Sequence, residues 1–295
     1  MDGGLGNQLF QYIFFRFLEE KTGDICYVDD RAFFQCDEHN GYALDKIFGL
    51  QPNLLSGYFD KDVYDAVLKI TKEDINIVDF LSGNGLPLQV LSYNDLIRSQ
   101  TMKLRHPYKG HVHNLDARRP AASATRLAGN VYYYGYWICH DYFLNIRDKI
   151  LGEVRFPAID DEYNRGIAAE ISRKQSVGVH VRRGDFISRG WQLSADWYCE
   201  SVVKINNAVS DPVFFIFSDD MEWCRSNIET LGFNAGDVIV YVEGNSGGTS
   251  FRDMQHMTSC KHLIIANSTF SFIAALLNQN PNKLVLNPLP NRIVV

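Results

Sequence analysis

Apolar and polar positions along this chain change rhythm near its middle. The opening stretch holds one long helical stripe: Leu9, Phe10, Ile13, Phe14, Phe17 and Leu18 recur at three- and four-residue steps, and Gly23 is placed to cap the end. Ahead of the stripe, the glycines of 3-GGLG-6 let backbone N–H groups at the start of a helix come close to a ligand. A buried strand ordinarily precedes such a turn. Only Met1 and Asp2 stand there, so either a strand is missing or the sheet begins differently. The run 25-ICYVD-29 predicts a strand. From Arg31 to Arg126 the pattern is weak, predicting helices over 60–68 and 93–103 and a strand over 88–91. Val131 to Tyr136 is strongly β-prone, and 140–154 predicts an amphipathic helix that Pro157 closes off.

The second half alternates cleanly. Predicted helices over 161–174, 196–209, 221–231, 250–259 and 270–278 interleave with short strands at 176–181, 213–217, 238–242, 262–266 and 283–286. That β–α rhythm calls for an α/β fold with a doubly wound parallel sheet. The expected division is into an N-terminal domain over 1–157 and a C-terminal domain over 158–295. There is no repeat at a fixed period.

Polar clusters follow three of these strands. His180, Arg182, Arg183 and Asp185 follow 176-SVGVHV-181; Ser218, Asp219 and Asp220 follow the next strand; Asn267, Ser268 and Thr269 follow a third. Clusters at the carboxyl ends of parallel strands point to one ligand crevice. His180 and Arg182 lie two apart and face one side of an extended backbone. An arginine fork there suits a phosphate, against the alternative of a surface ion pair. Ser268 and Thr269 are placed to cap the following helix or to hold a phosphate at its positive end. The Ser218–Asp220 acids are open to capping, to a nucleobase and ribose, or to a divalent ion, for which spacing supplies no third ligand. Trp137, in 135-GYW-137, reads as core rather than as a sugar platform.

Composition narrows this further. With 35 acidic and 29 basic residues the formal net charge is −6, which gives no basis for general affinity to nucleic acid or anionic membranes and leaves peripheral membrane contact open. The six cysteines have no CxxC pairing and are expected to be free thiols of a reducing compartment, so a cytoplasmic protein is expected. His111 and His113 form an HxH without a companion pair, more often a solvated loop than a ligand set. No GxSxG, HExxH, P-loop or GxGxxG occurs, and the last absence speaks against a dinucleotide-dependent oxidoreductase.

Taken in order, GGLGNQLFQY, GYW, HVRRGDF, FSDD and the run from Asp253 through Met257, Cys260 and His262 to IIANSTFS resemble the α-1,2-fucosyltransferases of glycosyltransferase family 11. The resemblance implies a GT-B-like fold: two Rossmann-like domains facing across a cleft, acceptor on the N-terminal side and GDP-β-L-fucose on the C-terminal side. It implies metal-independent, inverting transfer of L-fucose to the 2-hydroxyl of a terminal galactose in a glycan, with no cofactor beyond the donor. In its terms Arg182 meets the diphosphate and His180 and Asp219 lie near guanosine. Arg183 and Asp185 lie near the donor or support the loop, and Ser218, Asn267, Ser268, Thr269 and Ser271 complete the donor site. Asn7 lies close to the reacting sugar, and Asp185 is a candidate base. Phe272-Ile273 departs from the aromatic pair common after NSTFS. Another GDP-sugar, another fucose linkage, or a relative that binds without turnover are the alternatives.

Overall fold

A computed structural model of the chain describes residues 1, 3–35, 41–70, 77–83, 85, 88–92, 113–114 and 130–289. The chain forms two compact units, Met1–Val154 and Arg155–Val295.

In the first unit, helix α1 (Leu5–Thr22) carries the predicted stripe, and all six of its apolar positions are buried. Ten of its 18 residues are buried, so the helix is enclosed on most of its circumference. Gly23 caps it in the left-handed conformation, its N–H donating to the Glu19 carbonyl. Short helices α2 (Ala32–Gln35), α3 (Leu44–Phe48), α4 (Lys61–Ile70) and α5 (Ile77–Gly83) follow. A three-stranded parallel sheet, in the order β2-β1-β3, is made by β1 (Leu88–Ser92), β2 (His113–Asn114) and β3 (Asn130–Tyr134). Helices α6 (His140–Asn145) and α7 (Arg147–Glu153) complete the unit.

Three expectations change here. The strand expected over 25–29 is a single parallel bridge between Val28 and Leu54, with Ile25 and Tyr27 turned to solvent. The helix expected over 140–154 breaks at Ile146, whose φ of −132° is not helical. Strand β3 stops at Tyr134 because Gly135 and then Trp137 take positive φ, which lays the Trp137 indole flat on Phe14 at a centroid distance of 3.9 Å. Trp137 is therefore core. The helix expected over 93–103 and His111 lie outside the described residues.

The second unit follows the predicted alternation: α8 (Glu162–Arg173), β4 (Gln175–Val181), α9 (Gly184–Arg189), α10 (Ala195–Ala208), β5 (Pro212–Ser218), α11 (Met221–Ser226), β6 (Val238–Tyr241), α12 (Phe251–Ser259), β7 (His262–Ile264), α13 (Thr269–Leu277) and β8 (Val285–Leu286). All five strands are parallel, in the order β6-β5-β4-β7-β8. Their interiors read as continuous apolar runs because helices cover both faces. On one face of β4, Val177, Val179 and Val181 pack with Tyr198, Val202 and Ile205 of α10. On the other, Gly178 leaves room for Cys260 and Leu263, and His180 meets Phe270 of α13. The chain builds outward from β4 through β5 to β6, then crosses back to lay β7 on the other side of β4. The strand order thus reverses between β4 and β7, and the crevice beyond their carboxyl ends is where open α/β sheets bind ligands.

Candidate active site

Arg182 is the first residue past β4. Its Nη2 lies 2.6 Å from Asp185 Oδ1 and its Nη1 2.7 Å from Asp219 Oδ2, with the guanidinium 5.3 Å from the Phe186 ring. A guanidinium carries five N–H donors in a planar fork, so two carboxylates fix its plane and leave the rest of the fork for a ligand. The side chain is 27% exposed. Asp219 Oδ1 also accepts the Arg183 backbone N–H at 2.8 Å. A Cβ on Gly184 would collide with Asp219 Oδ2, so the glycine of HVRRGDF allows a close approach rather than an unusual backbone angle.

Arg183 takes a different direction. Its guanidinium lies 3.6 Å from the centre of the Trp223 ring, and its Nε donates to Asp220 Oδ2 at 2.9 Å. Asp220 also caps α11 by accepting the Trp223 N–H. Ser218 donates to the Val181 carbonyl at 2.8 Å and accepts the Asp220 N–H, tying the end of β5 to the end of β4. Arg183, Ser218 and Asp220 therefore fix the ends of β4 and β5 and the start of α11 to one another.

At the ends of β4 and β7 the polar groups are more buried. The His180 ring is 5.7 Å from Phe270, and burial, with Arg182 adding repulsion, lowers its pKa to about 3, so it is neutral. Its Nδ1 has no hydrogen-bond partner among the described residues. Nor has Asn267 Oδ1, although Asn267 Nδ2 donates to the Trp191 carbonyl at 2.7 Å. Two buried polar atoms without partners among the described residues, at the ends of adjacent strands, are what a polar ligand would satisfy. Ser268 caps α13, accepting the Phe270 N–H, and Thr269 begins that helix. Ser271 is not at this surface: it is fully buried and donates to the Ala266 and Ser268 carbonyls.

Asn7 lies in the first unit, in the first turn of α1. Gly3 has φ of 78°, and a Cβ there would strike the Asn7 amide. The neighbouring Gln8 was not singled out by its sequence. Its side chain is fully buried, donates to the Gly3 and Gly41 carbonyls at 2.9 Å each, and accepts the Ala43 N–H. The legible signal was a polar residue beside the buried positions Leu9 and Phe10. Sequence reading also missed Arg189, whose Nε is 3.4 Å from Asp185 Oδ2 and whose guanidinium lies 5.0 Å from the Trp191 ring. Among the described residues, no group of three His, Cys, Asp or Glu side chains is placed to hold a metal ion. The five described cysteines form no disulfide. No helix among the described residues is long and apolar enough to cross a membrane.

Residues 96–291 match the sequence pattern described as glycosyl transferase family 11. The chain belongs to that family. An α-1,2-colitosyltransferase of Escherichia coli is 26% identical over 98% of this chain and 89% of its own length. The galactoside α-(1,2)-fucosyltransferase 2 of Bos taurus is 34% identical over 48% of this chain and 44% of its own. Among solved structures, the fucosyltransferase NodZ from Bradyrhizobium is 14% identical, covers 93% of this chain and 89% of its own, and has a TM-score of 0.48. The paired Arg182 stands where a sheet of this strand order receives its ligand.

Proposed function

We propose that this protein transfers L-fucose from GDP-β-L-fucose to the 2-hydroxyl of a terminal galactose, with inversion and without a metal ion. The observation that carries the reading is Arg182, held by Asp185 and Asp219 at the carboxyl edge between β4 and β7. Breaking the fucosyl–phosphate bond leaves an oxocarbenium-like sugar and a diphosphate of growing charge. A guanidinium already fixed in place meets that charge without reorganising, an effect of about 3 to 4 kcal/mol for a well-placed donor. The backbone N–H groups that open α13 at Ser268 and Thr269 supply a second source of positive potential. The buried His180 Nδ1 and Asn267 Oδ1 are suited to polar edges of the nucleotide.

In this reading Asp185 orients Arg182 rather than accepting the acceptor proton, since its two oxygens face Arg182 and Arg189. Asn7, beside the glycine turn of the first unit, serves the sugar side of the reaction. Support for the α-1,2 linkage comes from the names of the relatives, which include both fucosyl- and colitosyltransferases. The latter, aligned over nearly the whole chain, favours one second reading, transfer of colitose in place of fucose.

Incubation with GDP-fucose, a panel of β-galactosides and EDTA tests the proposal, with NMR of the product for linkage. An α-1,2-fucosylated product formed in EDTA is expected. No product, or strict dependence on Mg²⁺, overturns it, and transfer from the colitose donor alone selects the second reading.

A further inference from the structure

We infer that Asp219 is a positioning residue for the diphosphate-binding arginine, acting through Arg182 and the Arg183 amide rather than reading the nucleobase. The inference rests on the proposed role of Arg182 and deepens it. Asp185, the other carboxylate on Arg182, lies three residues along the same turn, so it moves wherever that turn moves. Asp219 comes from the end of β5, the neighbouring strand in the sheet. Only the Asp219 contact, of the two, ties the guanidinium to the sheet.

Both oxygens of Asp219 are used for this. Oδ1 holds the backbone at Arg183, where the chain turns from β4 into α9, and Oδ2 holds the arginine head. One carboxylate therefore sets both the path of the turn and the aim of the side chain. Gly184 is the local cost of the arrangement, because Oδ2 occupies the space any larger residue would fill. Arginine has several rotatable bonds and a large rotamer entropy, so a group that fixes the head before the ligand arrives raises affinity without touching the ligand. A base-reading carboxylate would instead turn its oxygens toward the N–H edge of guanine. Here one oxygen is turned onto the Arg183 backbone N–H and the other onto the Arg182 guanidinium.

Calorimetric titration of wild type, Asp219→Asn and Gly184→Ala with GDP, inosine diphosphate and inorganic pyrophosphate decides the matter, with circular dichroism to check folding. Inosine diphosphate lacks the 2-amino group that a base-reading carboxylate accepts. Asp219→Asn should weaken GDP and pyrophosphate by a similar factor, about tenfold or more for a charge-assisted hydrogen bond. The preference for GDP over inosine diphosphate should be unchanged. Gly184→Ala, which keeps the carboxylate and displaces it, should weaken pyrophosphate in the same way. Loss of the GDP preference in Asp219→Asn, or unchanged pyrophosphate affinity in both variants, overturns the inference. A wild-type protein that binds pyrophosphate but not GDP overturns the GDP-fucose reading while leaving the clamp to be judged on pyrophosphate. Binding of neither by wild type overturns both.

Discussion

Asn245 Nδ2 donates to Asp253 Oδ1 at 2.8 Å. Asn245 and Asn164 exchange amide hydrogen bonds at 3.0 Å, and Asn164 Oδ1 is 2.7 Å from His256 Nε2. This partly buried polar network joins α8, α12 and the glycine loop between β6 and α12, in the run Asp253–Met257 where the sequence showed only motif residues.

Its acid has an unusual titration. Burial pushes the Asp253 carboxyl up to about 7 from the ordinary 3.8, the Asn245 hydrogen bond opposing this only in part. An acid with a raised native pKa keeps its proton in the folded chain after the unfolded chain has lost it. Its contribution is full below about pH 4 and is lost as pH rises toward 7. At about 1.4 kcal/mol per unit, the loss is on the order of a few kcal/mol. Asp253→Asn should therefore raise the urea midpoint at pH 7.5 and leave it nearly unchanged at pH 4.5.

His180 and His256 act on the opposite side. Burial holds both neutral, with pKa values lowered to about 3 and about 4. A base with a depressed native pKa contributes stability above its unfolded value of 6.5 that is lost as pH falls toward 4 and then 3. His256→Gln, which can keep a donor toward Asn164, should flatten the loss of stability between pH 6.5 and 4 in thermal melts.

Gln8→Ala removes the donor to Gly3 and Gly41 and the acceptor for Ala43. Buried groups left without partners cost about 1–3 kcal/mol each, moderated by any water that enters. A loss of about 2–4 kcal/mol is expected in urea unfolding, together with faster proteolysis near residues 41–43.

Gly178→Ala would bring a Cβ to 2.9 Å from Leu263 Cδ2 and 3.1 Å from Cys260 Sγ, both on fully buried residues. Overpacking at the centre of a parallel sheet should cost about 1–3 kcal/mol, read as a lower denaturation midpoint. The paired Gly178→Ala, Cys260→Ala variant should recover part of it.

Arg182→Ala and Arg183→Ala should separate cleanly. Arg182→Ala is expected to lower kcat by about 10²–10³-fold, as for loss of one transition-state donor. Arg183→Ala loses its stack on Trp223 and its pairing with Asp220, so the effect should fall mainly on the melting temperature, about 1 kcal/mol in stability. Steady-state kinetics with GDP-fucose and thermal melts of both variants check this.

Much of the second unit was legible because its strands are buried on both faces and stand out as apolar runs between amphipathic helices. The boundaries slipped where one side chain intervened. The helix expected over 221–231 ends at Ser226, where Asn227 Nδ2 takes the Trp223 carbonyl. Helix α9 is only six residues long and lacks a periodic stripe. In the first unit the β-prone run at 25–29 pairs by a single bridge, because β-propensity becomes a strand only where a partner edge is present.

The sequence by itself determined the α/β alternation, the residue types gathered at strand ends, and the order of motifs that identifies the family. These depend on local periodicity and composition. It did not determine which of two adjacent arginines is paired with Asp185 and Asp219 and which is stacked on Trp223, that Ser271 is turned into the core, or that Gly184 is a matter of clearance. Those were decided by tertiary structure, since they depend on which side chain of β5, α11 or α13 stands opposite, and that is set only when the strands are laid in the order β6-β5-β4-β7-β8.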